Sequence, residues 1–339
     1  TLGGVGAGTE FHHVQVSYAF DDQIEFFGGT MDMKYVVVMG GTDDDFDTDF
    51  GYVGRGQFMF GLRDPLFWDP AGESRGFESD GDNGPAPWTH PIWANVTMVG
   101  PQREDATFIP PTATFDWSAV VREGSRLSLF NSVFTGYPKG LSFRDAGTKE
   151  SARDNVLRWE DVSLQASVIG GTTDPSCSPS SFAHVQSESR WPCTDPITPG
   201  IYNWFLNEPG CIVGTTRLPS AINLVDMSNL NDPDPRPAPG SELITAGASW
   251  TDAYLNTADS FFDQTPTYRG AFDPNLPMHA QWTRCWTNFD PQNTDYTNGT
   301  VVTGAGRTAP KHSVTLENYP NPFNPSTVIE FSVPETGHV

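Results

Sequence analysis

A repeat of 22 residues near the N-terminus constrains the fold of this chain more than any other feature. The segment HHVQVSYAFDDQIEFFGG aligns at that spacing with KYVVVMGGTDDDFDTDFGY. The coinciding pairs are Val14 with Val36, Val16 with Val38, Asp21 with Asp43, Asp22 with Asp44, and Glu25 with Asp47. One further step of the same length would place Val36 on Phe58 and Val38 on Phe60. A third acidic stretch, GFESDGD, follows after an insertion.

Short β-rich segments that recur every 20 to 30 residues, roughly, are typical of solenoids. Helical solenoids are excluded, because no segment sustains a helical period and the 33 Gly and 29 Pro residues interrupt the chain throughout. The Leu and Asn ladder of a leucine-rich repeat is absent as well. The sequence therefore predicts an all-β fold, a parallel β-helix in which each coil contributes two or three short strands. An antiparallel β-sandwich with coincidental spacing is the alternative.

The charge of the chain limits its partners. It has 42 acidic and 19 basic residues and a formal net charge of -23. Such a field repels phosphate groups, so nucleic acid is not an expected partner. No apolar run approaches the roughly 20 residues that a membrane-spanning helix needs, so no membrane span is expected either.

Regular spacing fades in the second half of the chain, from about Thr148 to Asp263. The stretches DPSCSPSSF and NDPDPRPAPG have the composition of long connecting loops. We expect later coils with large loop insertions in this half, followed by an irregular C-terminal cap. A cap is needed because the open end of a solenoid exposes an edge strand.

The C-terminal tail carries a long and specific motif. Its residues are Asn318, Tyr319, Pro320, Asn321, Pro322, Phe323, Asn324 and Pro325. An expected strand, Thr327 to Phe331, follows. This tail resembles the start of the sorting domain of the type IX (Por) secretion system of Bacteroidetes and related phyla. The resemblance implies an incomplete Ig-like module that contacts the secretion machinery, and a location outside the cell or on the outer-membrane surface of a Gram-negative bacterium.

The four cysteines include no CxxC pair, which argues against a zinc ribbon or a redox motif. An even number of cysteines in an exported chain suggests disulfides. Of the three possible connectivities, we favour Cys177–Cys193, which closes a Ser/Pro-rich loop, together with Cys211–Cys285. Four free thiols are the alternative.

The body of the chain, roughly residues 1–295, resembles a family of proteins from marine and soil Bacteroidetes. The matching stretches are TLGGVGAGT, HVQVSYAFDD, IEFFGGTMDMKYVV, DDDFDTDFGY, GFESDGD, NSVFTGYP, TYRGAF and WTNFDPQN. The resemblance implies a right-handed parallel β-helix of the pectate-lyase type, with further coils before Thr1. We therefore expect a β-helix body with large loop insertions at 1–295, a linker at 296–312, and the incomplete sorting domain at 313–339.

The stacked acidic residues predict a calcium site. Equivalent residues of successive coils lie about 4.8 Å apart, and two unit charges at that distance repel by about 3.5 kcal/mol at an effective dielectric constant near 20. The carboxylates must therefore splay into water, bind protons or share a cation. Calcium suits such oxygen ligands, and the candidates are Asp21, Asp22, Glu25, Asp43, Asp44, Asp45, Asp47 and Asp49. A solvated acidic edge without an ion is the alternative.

The same acidic segment is similar to the DDGFD-like segment with which some calcium-dependent pectate lyases hold their ion. Those enzymes remove a sugar proton with a Lys or Arg base, and the candidates for that base here are Lys34, Arg55 and Arg63. The competing interpretation makes each of them a structural ion-pair partner, because an Arg side chain stays protonated in water. A glycoside hydrolase with paired carboxylates is a further catalytic alternative.

Taken together, these features favour a non-catalytic surface or adhesive protein, stabilised by calcium, that binds extracellular polysaccharide or cell-surface glycan. A polysaccharide lyase or hydrolase is the second hypothesis. An unpaired Lys or Arg and exposed aromatic side chains in a groove beside the acidic residues would favour the enzyme.

Overall fold

The computed structural model describes residues 1–296 and the backbone of two strands beyond them. The gaps within the first range are 71, 73, 82–85, 105, 169–200 and 215–217. The chain divides into two compact units, Thr1–Thr294 and Asp295–Val339, and each is described by itself. Over the part of the chain that the structure describes, no helix is long and apolar enough to cross a membrane.

The first unit consists of parallel strands stacked coil upon coil. In chain order the strands are β1 (Leu2–Gly3), β2 (Phe11–Ser17), β3 (Ile24–Phe27), β4 (Met33–Met39), β5 (Phe46–Asp49), β6 (Arg55–Leu62), β7 (Phe77–Asp80), β8 (Ile92–Val99), β9 (Trp117–Arg122), β10 (Ser128–Phe130), β11 (Val133–Phe143), β12 (Trp159–Glu160), β13 (Ser163–Val168) and β14 (Ile212–Gly214). The first series of strands runs β1-β3-β5-β7-β9-β11. The second series runs β2-β4-β6-β8 and continues through β10 and β11 to β12, β13 and β14. Every pairing in both series is parallel, which confirms the predicted parallel β-helix.

The register between the first coils confirms the first step of the repeat. Strands β2 and β4 pair Val14 with Val36 and Val16 with Val38. Strands β3 and β5 pair Glu25 with Asp47. The spacing seen in the sequence is therefore one full coil here, and it determines which side chains lie above one another.

The second step of the repeat is one residue longer than predicted. Val36 pairs with Met59 rather than with Phe58, and Val38 pairs with Gly61. The added residue lies in the loop between β5 and β6, because the pairing of β3 with β5 still follows the original spacing. Loops on the outside of the coils change length without disturbing the strand pairing, so a fixed sequence period cannot be extended through them.

A left-handed backbone conformation recurs at one corner of the coils in the second series. The φ angle is 54° at His13, 56° at Tyr35, 59° at Phe58, 52° at Asn95 and 50° at Asn131. Non-glycine residues rarely adopt this conformation because the Cβ atom approaches backbone oxygen. The Tyr35 and Phe58 rings stack nearly parallel, 5.2 Å apart, and this contact helps to offset the cost. The corner bends each second-series strand at the same point of every coil.

Aromatic side chains fill the interior between the two series. The ring of Phe77 lies 5.6 Å from Phe46, 5.0 Å from Trp93 and 5.2 Å from Phe134. All of these rings are fully buried. They come from β5 and β7 of the first series and from β8 and β11 of the second. Their contact therefore joins the two series, and the burial of this apolar area drives the coils together.

Two helices interrupt the late coils, α1 (Ala146–Arg153) and α2 (Ile201–Asn207). The Asp145 side chain caps α1 by accepting a hydrogen bond from the Thr148 backbone N–H at 2.9 Å. This bond satisfies one of the N–H groups that the first turn of a helix leaves without a partner.

Residues 218–294, here called the side segment, pack along the flank of the coils. Its regular elements are a 3₁₀-helix at Pro219–Ile222, β15 (Leu224–Asp226) paired antiparallel with β16 (Asp234–Pro237), α3 (Glu242–Thr245) and a 3₁₀-helix at Met278–Ala280. The Gly270 N–H donates to the Asn131 carbonyl oxygen, and the Asn288 N–H donates to Gln15 Oε1, both at 2.8 Å. The side segment thus reaches from the late coils back to the first one. Later coils and an irregular C-terminal cap were predicted for this half of the chain. The side segment instead adds no strand to the stack and covers its side.

The expected Cys211–Cys285 disulfide is not formed, because both thiols are free. Cys211 packs against the interior of the coils, where its Sγ lies 3.2 Å from the Trp159 carbonyl oxygen. Cys285 is exposed on the side segment. Cys177 and Cys193 lie outside the described residues, so their pairing stays a prediction.

In the second unit, β17 (Thr315–Tyr319) and β18 (Val328–Ser332) form an antiparallel pair. Strand β18 is the strand expected at Thr327 to Phe331, shifted by one residue. The proline-rich part of the motif between the two strands lies outside the described residues. The three regions expected at 1–295, 296–312 and 313–339 stay predictions.

We expect Phe77→Ala to destabilise the body strongly. The substitution removes a ring that touches three other buried rings, and large-to-small changes of this kind cost about 3–5 kcal/mol. Urea unfolding followed by tryptophan fluorescence would measure the loss. Phe108→Ala is the matched control, because Phe108 is 67% exposed and should change the free energy of unfolding by less than about 0.5 kcal/mol. Equal losses in the two variants would contradict the core described above.

Candidate functional site

Parallel register stacks like charges on the first series of strands. Glu25 on β3, Asp47 on β5 and Glu78 on β7 are register partners, and they are called the acidic column below. Equivalent positions of neighbouring parallel strands are about 4.8 Å apart. Carboxylates at that separation repel one another unless protons, arginines or a cation neutralise them.

Two groups of carboxylates converge at the early end of the acidic column. One carboxylate oxygen from each of Asp22, Glu25 and Asp47 lies within 4.8 Å of the others, and the same holds for Asp21, Asp22 and Asp43. Asp22 belongs to both groups. Asp47 is 7% exposed, and its buried Oδ1 accepts no hydrogen bond from any described residue. A buried carboxylate oxygen without a donor is costly, so the Asp47 carboxylate has an unsatisfied acceptor.

Burial and crowding hold protons on several of these carboxyl groups. Burial, and next the charge of Asp49, raises the pKa of Asp47 to about 11. Burial raises the pKa of Asp22 and of Asp49 to about 7. Burial also raises the pKa of Asp43. Without a cation, the cluster is therefore partly protonated at neutral pH.

Two arginines neutralise the later end of the acidic column. Arg75 Nη1 lies 2.5 Å from Glu78 Oε1 and 3.5 Å from Asp44 Oδ2. Arg122 Nη2 lies 2.6 Å from Asp80 Oδ2 and 3.3 Å from Glu78 Oε2. Despite Arg75, burial and the nearby Glu78 charge raise the pKa of Asp44 well above its usual range. At the early end, by contrast, no Lys or Arg among the described residues forms an ion pair with the cluster around Asp22.

Sequence reasoning missed the later half of this site. Glu78 and Asp80 belong to the stretch GFESDGD, which follows the first acidic stretches after an insertion. Register with Asp47 was the signal that would have found Glu78. Arg122 carried no sequence signal, because only the fold brings β9 beside β7. Arg75 lies three residues before Glu78 in the same segment.

Asp45 and Arg63 lie apart from the other predicted site residues, inside the coils. Both are fully buried, and Arg63 Nε lies 3.1 Å from Asp45 Oδ2. The Tyr137 hydroxyl donates to the same oxygen at 3.1 Å, and Arg63 Nη1 donates to the Gly41 carbonyl oxygen at 2.8 Å. Asp45 therefore faces away from Asp43 and the rest of the acidic cluster, and Arg63 is held as its ion-pair partner.

Lys34 and Arg55, the other two candidate bases, lie on the second series of strands beside the side segment. Arg55 forms ion pairs with Asp32 and with Asp259, the latter at 2.7 Å. Lys34 Nζ lies 4.7 Å from the centre of the Phe261 ring. Their strands, β4 and β6, pair with each other and not with β3, β5 or β7. The structure thus brings neither cation to the acidic column.

Aromatic side chains lie at the C-terminal ends of β3 and β5 and in the segment before β8. The Phe27 and Phe50 rings are 5.5 Å apart, and Phe50 is 56% exposed. Trp88 is 40% exposed, and the Arg126 guanidinium lies over its ring at 3.6 Å. The first-series strands separate these groups from the cluster around Asp22. Aromatic faces of this kind bind the apolar faces of sugar rings.

In the absence of a cation, we expect stability to fall as the pH rises above about 4. The pKa values of Asp22 and Asp49 are about 7 and that of Asp47 is about 11 in the folded state, against 3.8 for an unperturbed Asp. The unfolded chain therefore loses these protons first, and each further rise in pH favours unfolding until the folded pKa is passed.

The variant Asp47→Asn keeps the shape of the side chain without a titrating proton. It should stabilise the protein at pH 8 in a chelator by about 1 kcal/mol or more, as urea unfolding at pH 5 and pH 8 would show. Asp232→Asn removes an exposed carboxylate and is the control. A stability that does not change between the two pH values would contradict the described protonation of the column.

The comparisons with known proteins identify the fold family. Residues 1–189 match the family model described as a pectate-lyase like beta helix domain. No curated protein and no solved structure matches the chain significantly. The match covers more than half of the 339 residues and the strands that carry the acidic column. This chain therefore belongs to the pectate-lyase-like β-helix family.

Proposed function

We propose that this protein acts at the cell surface or outside the cell as a non-catalytic, calcium-stabilised glycan-binding or adhesive β-helix. The family supports a role connected with polysaccharide. The calcium ion, the glycan and the location are parts of the proposal, and each rests on a separate observation.

The observation that carries the calcium site is the carboxylate of Asp47, which converges with those of Asp22 and Glu25 and has a buried Oδ1 without a hydrogen-bond donor. Three carboxylates offer six oxygens, and calcium takes six to eight oxygen ligands, roughly, in flexible geometries that include water. The second group, through Asp21 and Asp43, adds carboxylates next to the shared Asp22. Asp45 is left out of the proposed ligands because it pairs with Arg63.

A cation at this position would also reduce the repulsion between the carboxylates of the acidic column. Arg75 and Arg122 neutralise Glu78 and Asp80 at the later end. The early end has no comparable partner among the described residues, so either protons or a cation must compensate there. A divalent ion allows the carboxyls to ionise at neutral pH and converts mutual repulsion into shared attraction.

Glycan binding without catalysis is favoured by where the cations lie. A lyase of this type needs a Lys or Arg within hydrogen-bond reach of the sugar proton beside the bound ion. Arg55 and Arg63 are held in ion pairs, and Lys34 lies against Phe261 on the other series of strands. The exposed Phe50 and the neighbouring Phe27 supply stacking faces. The arginines at the later end of the column, Arg75 and Arg122, are held in ion pairs.

The proposed location rests on the tail. The NYPNPFNPST segment resembles a type IX sorting domain of Bacteroidetes, which predicts export through that machinery and display or release at the outer membrane. The antiparallel pair formed by β17 and β18 is consistent with the start of an Ig-like module. Fractionation of the source bacterium that found the protein in the cytoplasm would contradict the proposal.

Calcium should bind to the wild-type protein and raise its melting temperature. At a free concentration of about 100 times Kd the linkage amounts to about 2.7 kcal/mol, or on the order of 5 °C for a domain of this size. Asp22→Asn and Asp47→Asn should lose most of this shift, and Asp232→Asn should keep it. Isothermal titration with calcium and with magnesium would test selectivity. A melting temperature unchanged by chelation would contradict the site.

The purified protein should bind glycans without cleaving them. A panel of acidic and neutral polysaccharides would be tested by affinity electrophoresis, with calcium and with EDTA, while ultraviolet absorbance monitors unsaturated uronides and a reducing-sugar assay monitors hydrolysis. We expect retarded migration on at least one acidic polysaccharide and no product. Unsaturated uronide or new reducing ends would overturn the non-catalytic assignment, and no retardation on any glycan would overturn the proposed function.

A further inference from the structure

We infer that Trp88 and Arg126 form a binding subsite for an acidic sugar, separate from the acidic column. This inference rests on the proposed glycan-binding function and names the class of glycan and the residues that would recognise it. The ligand chemistry is a pyranose ring that carries a carboxylate or a sulfate.

The first observation is the unusual state of the Arg126 charge. The chain has a net charge of -23, and most of its described arginines are ion-paired. Over the described part of the chain, Arg126 forms no ion pair and its side chain donates no hydrogen bond, and its Nε is buried without a partner. Its contact is the Trp88 ring, 3.6 Å from the guanidinium carbon. A guanidinium stacked in this way still has its in-plane N–H groups free to bind an anion.

The second observation is that the backbone fixes this pair. Trp88 precedes β8 and Arg126 precedes β10, two strands that pair in parallel. The Arg126 N–H donates to the Thr89 carbonyl oxygen at 2.9 Å, and the Thr89 hydroxyl accepts from the Gly51 N–H at 3.0 Å. The backbone of the Trp88–Arg126 pair is thus part of the coil stack, so little conformational entropy would be lost when a ligand binds.

Further aromatic rings lie beside the pair. The His90 and Tyr254 rings are 5.2 Å apart, and the Arg158 guanidinium lies 4.3 Å from the centre of the Tyr254 ring. Burial and the charges of Arg126 and Arg158 lower the pKa of His90 to about 4, so this ring is neutral at physiological pH. Arg158 is neutralised by Asp252 at 2.6 Å. Of the two arginines, Arg126 is therefore the one that is available to an anion.

These features match an acidic sugar better than a neutral one. The partly exposed indole offers a flat apolar face to the C–H side of a pyranose, and the guanidinium offers paired donors to a carboxylate or sulfate. A neutral sugar would use the indole and leave the partly buried cation without a counter-charge.

The test compares oligosaccharides on the full chain at constant calcium concentration by isothermal titration. The ligands are oligogalacturonate, a sulfated galactan oligosaccharide and a neutral galactan oligosaccharide. Trp88→Ala should weaken binding of an acidic ligand about two- to tenfold, and Arg126→Gln about ten- to a hundredfold. Arg126→Lys, which keeps the charge and loses the planar donors, should fall between wild type and Arg126→Gln. Arg284→Gln is the charge-matched control and should bind like wild type.

Each outcome has a distinct meaning. Preference for the carboxylated or for the sulfated ligand, lost in Arg126→Gln, supports the subsite and identifies which anion it takes. Acidic-glycan binding that is unaltered in Trp88→Ala and Arg126→Gln overturns the subsite and leaves the proposed function intact. Absence of binding to all three ligands by wild type overturns the subsite, and the polysaccharide panel then decides the proposed function. Melting curves of each variant, expected to match wild type within about 2 °C, separate loss of binding from loss of folding.

Discussion

The parallel stacking of coils is the constraint on which the rest of this structure depends. In a parallel β-helix every residue of a strand lies directly above its counterpart in the previous coil. Apolar residues profit from this geometry, because Phe46 and Phe77 meet in register and pack with Trp93 in the interior. The same geometry brings like charges together, because Asp47 and Glu78 are register partners on the outer face of the strands and their carboxylates repel each other. One geometric rule thus produces both the core and the acidic column.

The protein handles this crowding differently at the two ends of the column. At the later end, Arg75 and Arg122 lie between carboxylates, so opposite charges alternate. At the early end, Asp22 and Asp47 have strongly raised pKa values because of burial and mutual repulsion. Structural ion pairs therefore explain one half of the acidic sequence, and the other half is left as a cluster of hard oxygen ligands. That asymmetry is the basis for the proposed cation.

The side segment engages cations of the second-series strands that the sequence left without partners. It lies against the left-handed corner of the second series, where Asn131 bonds both to it and within the stack. Arg55 and Lys34 are engaged there by Asp259 and Phe261. Cations that looked available in the sequence are thus bound to this flank. Phe50 and Trp88, by contrast, are exposed.

The amino-acid sequence by itself determined the length of the first coil, the parallel fold and the convergence of Asp22, Glu25 and Asp47, because spacing along a strand translates directly into register. Loop insertions decided what the sequence could not. They shifted Phe58 out of the predicted register and hid the partnership of Glu78 with Asp47 across a longer coil. Tertiary structure also decided which side of the chain each charge faces. Asp45 follows Asp44 directly, yet it points inward to Arg63, because both residues precede β5 and do not follow the alternation of the strand itself. Periodicity is a local property that can be read from the sequence, whereas the partners of a charge are set by segments far away along the chain.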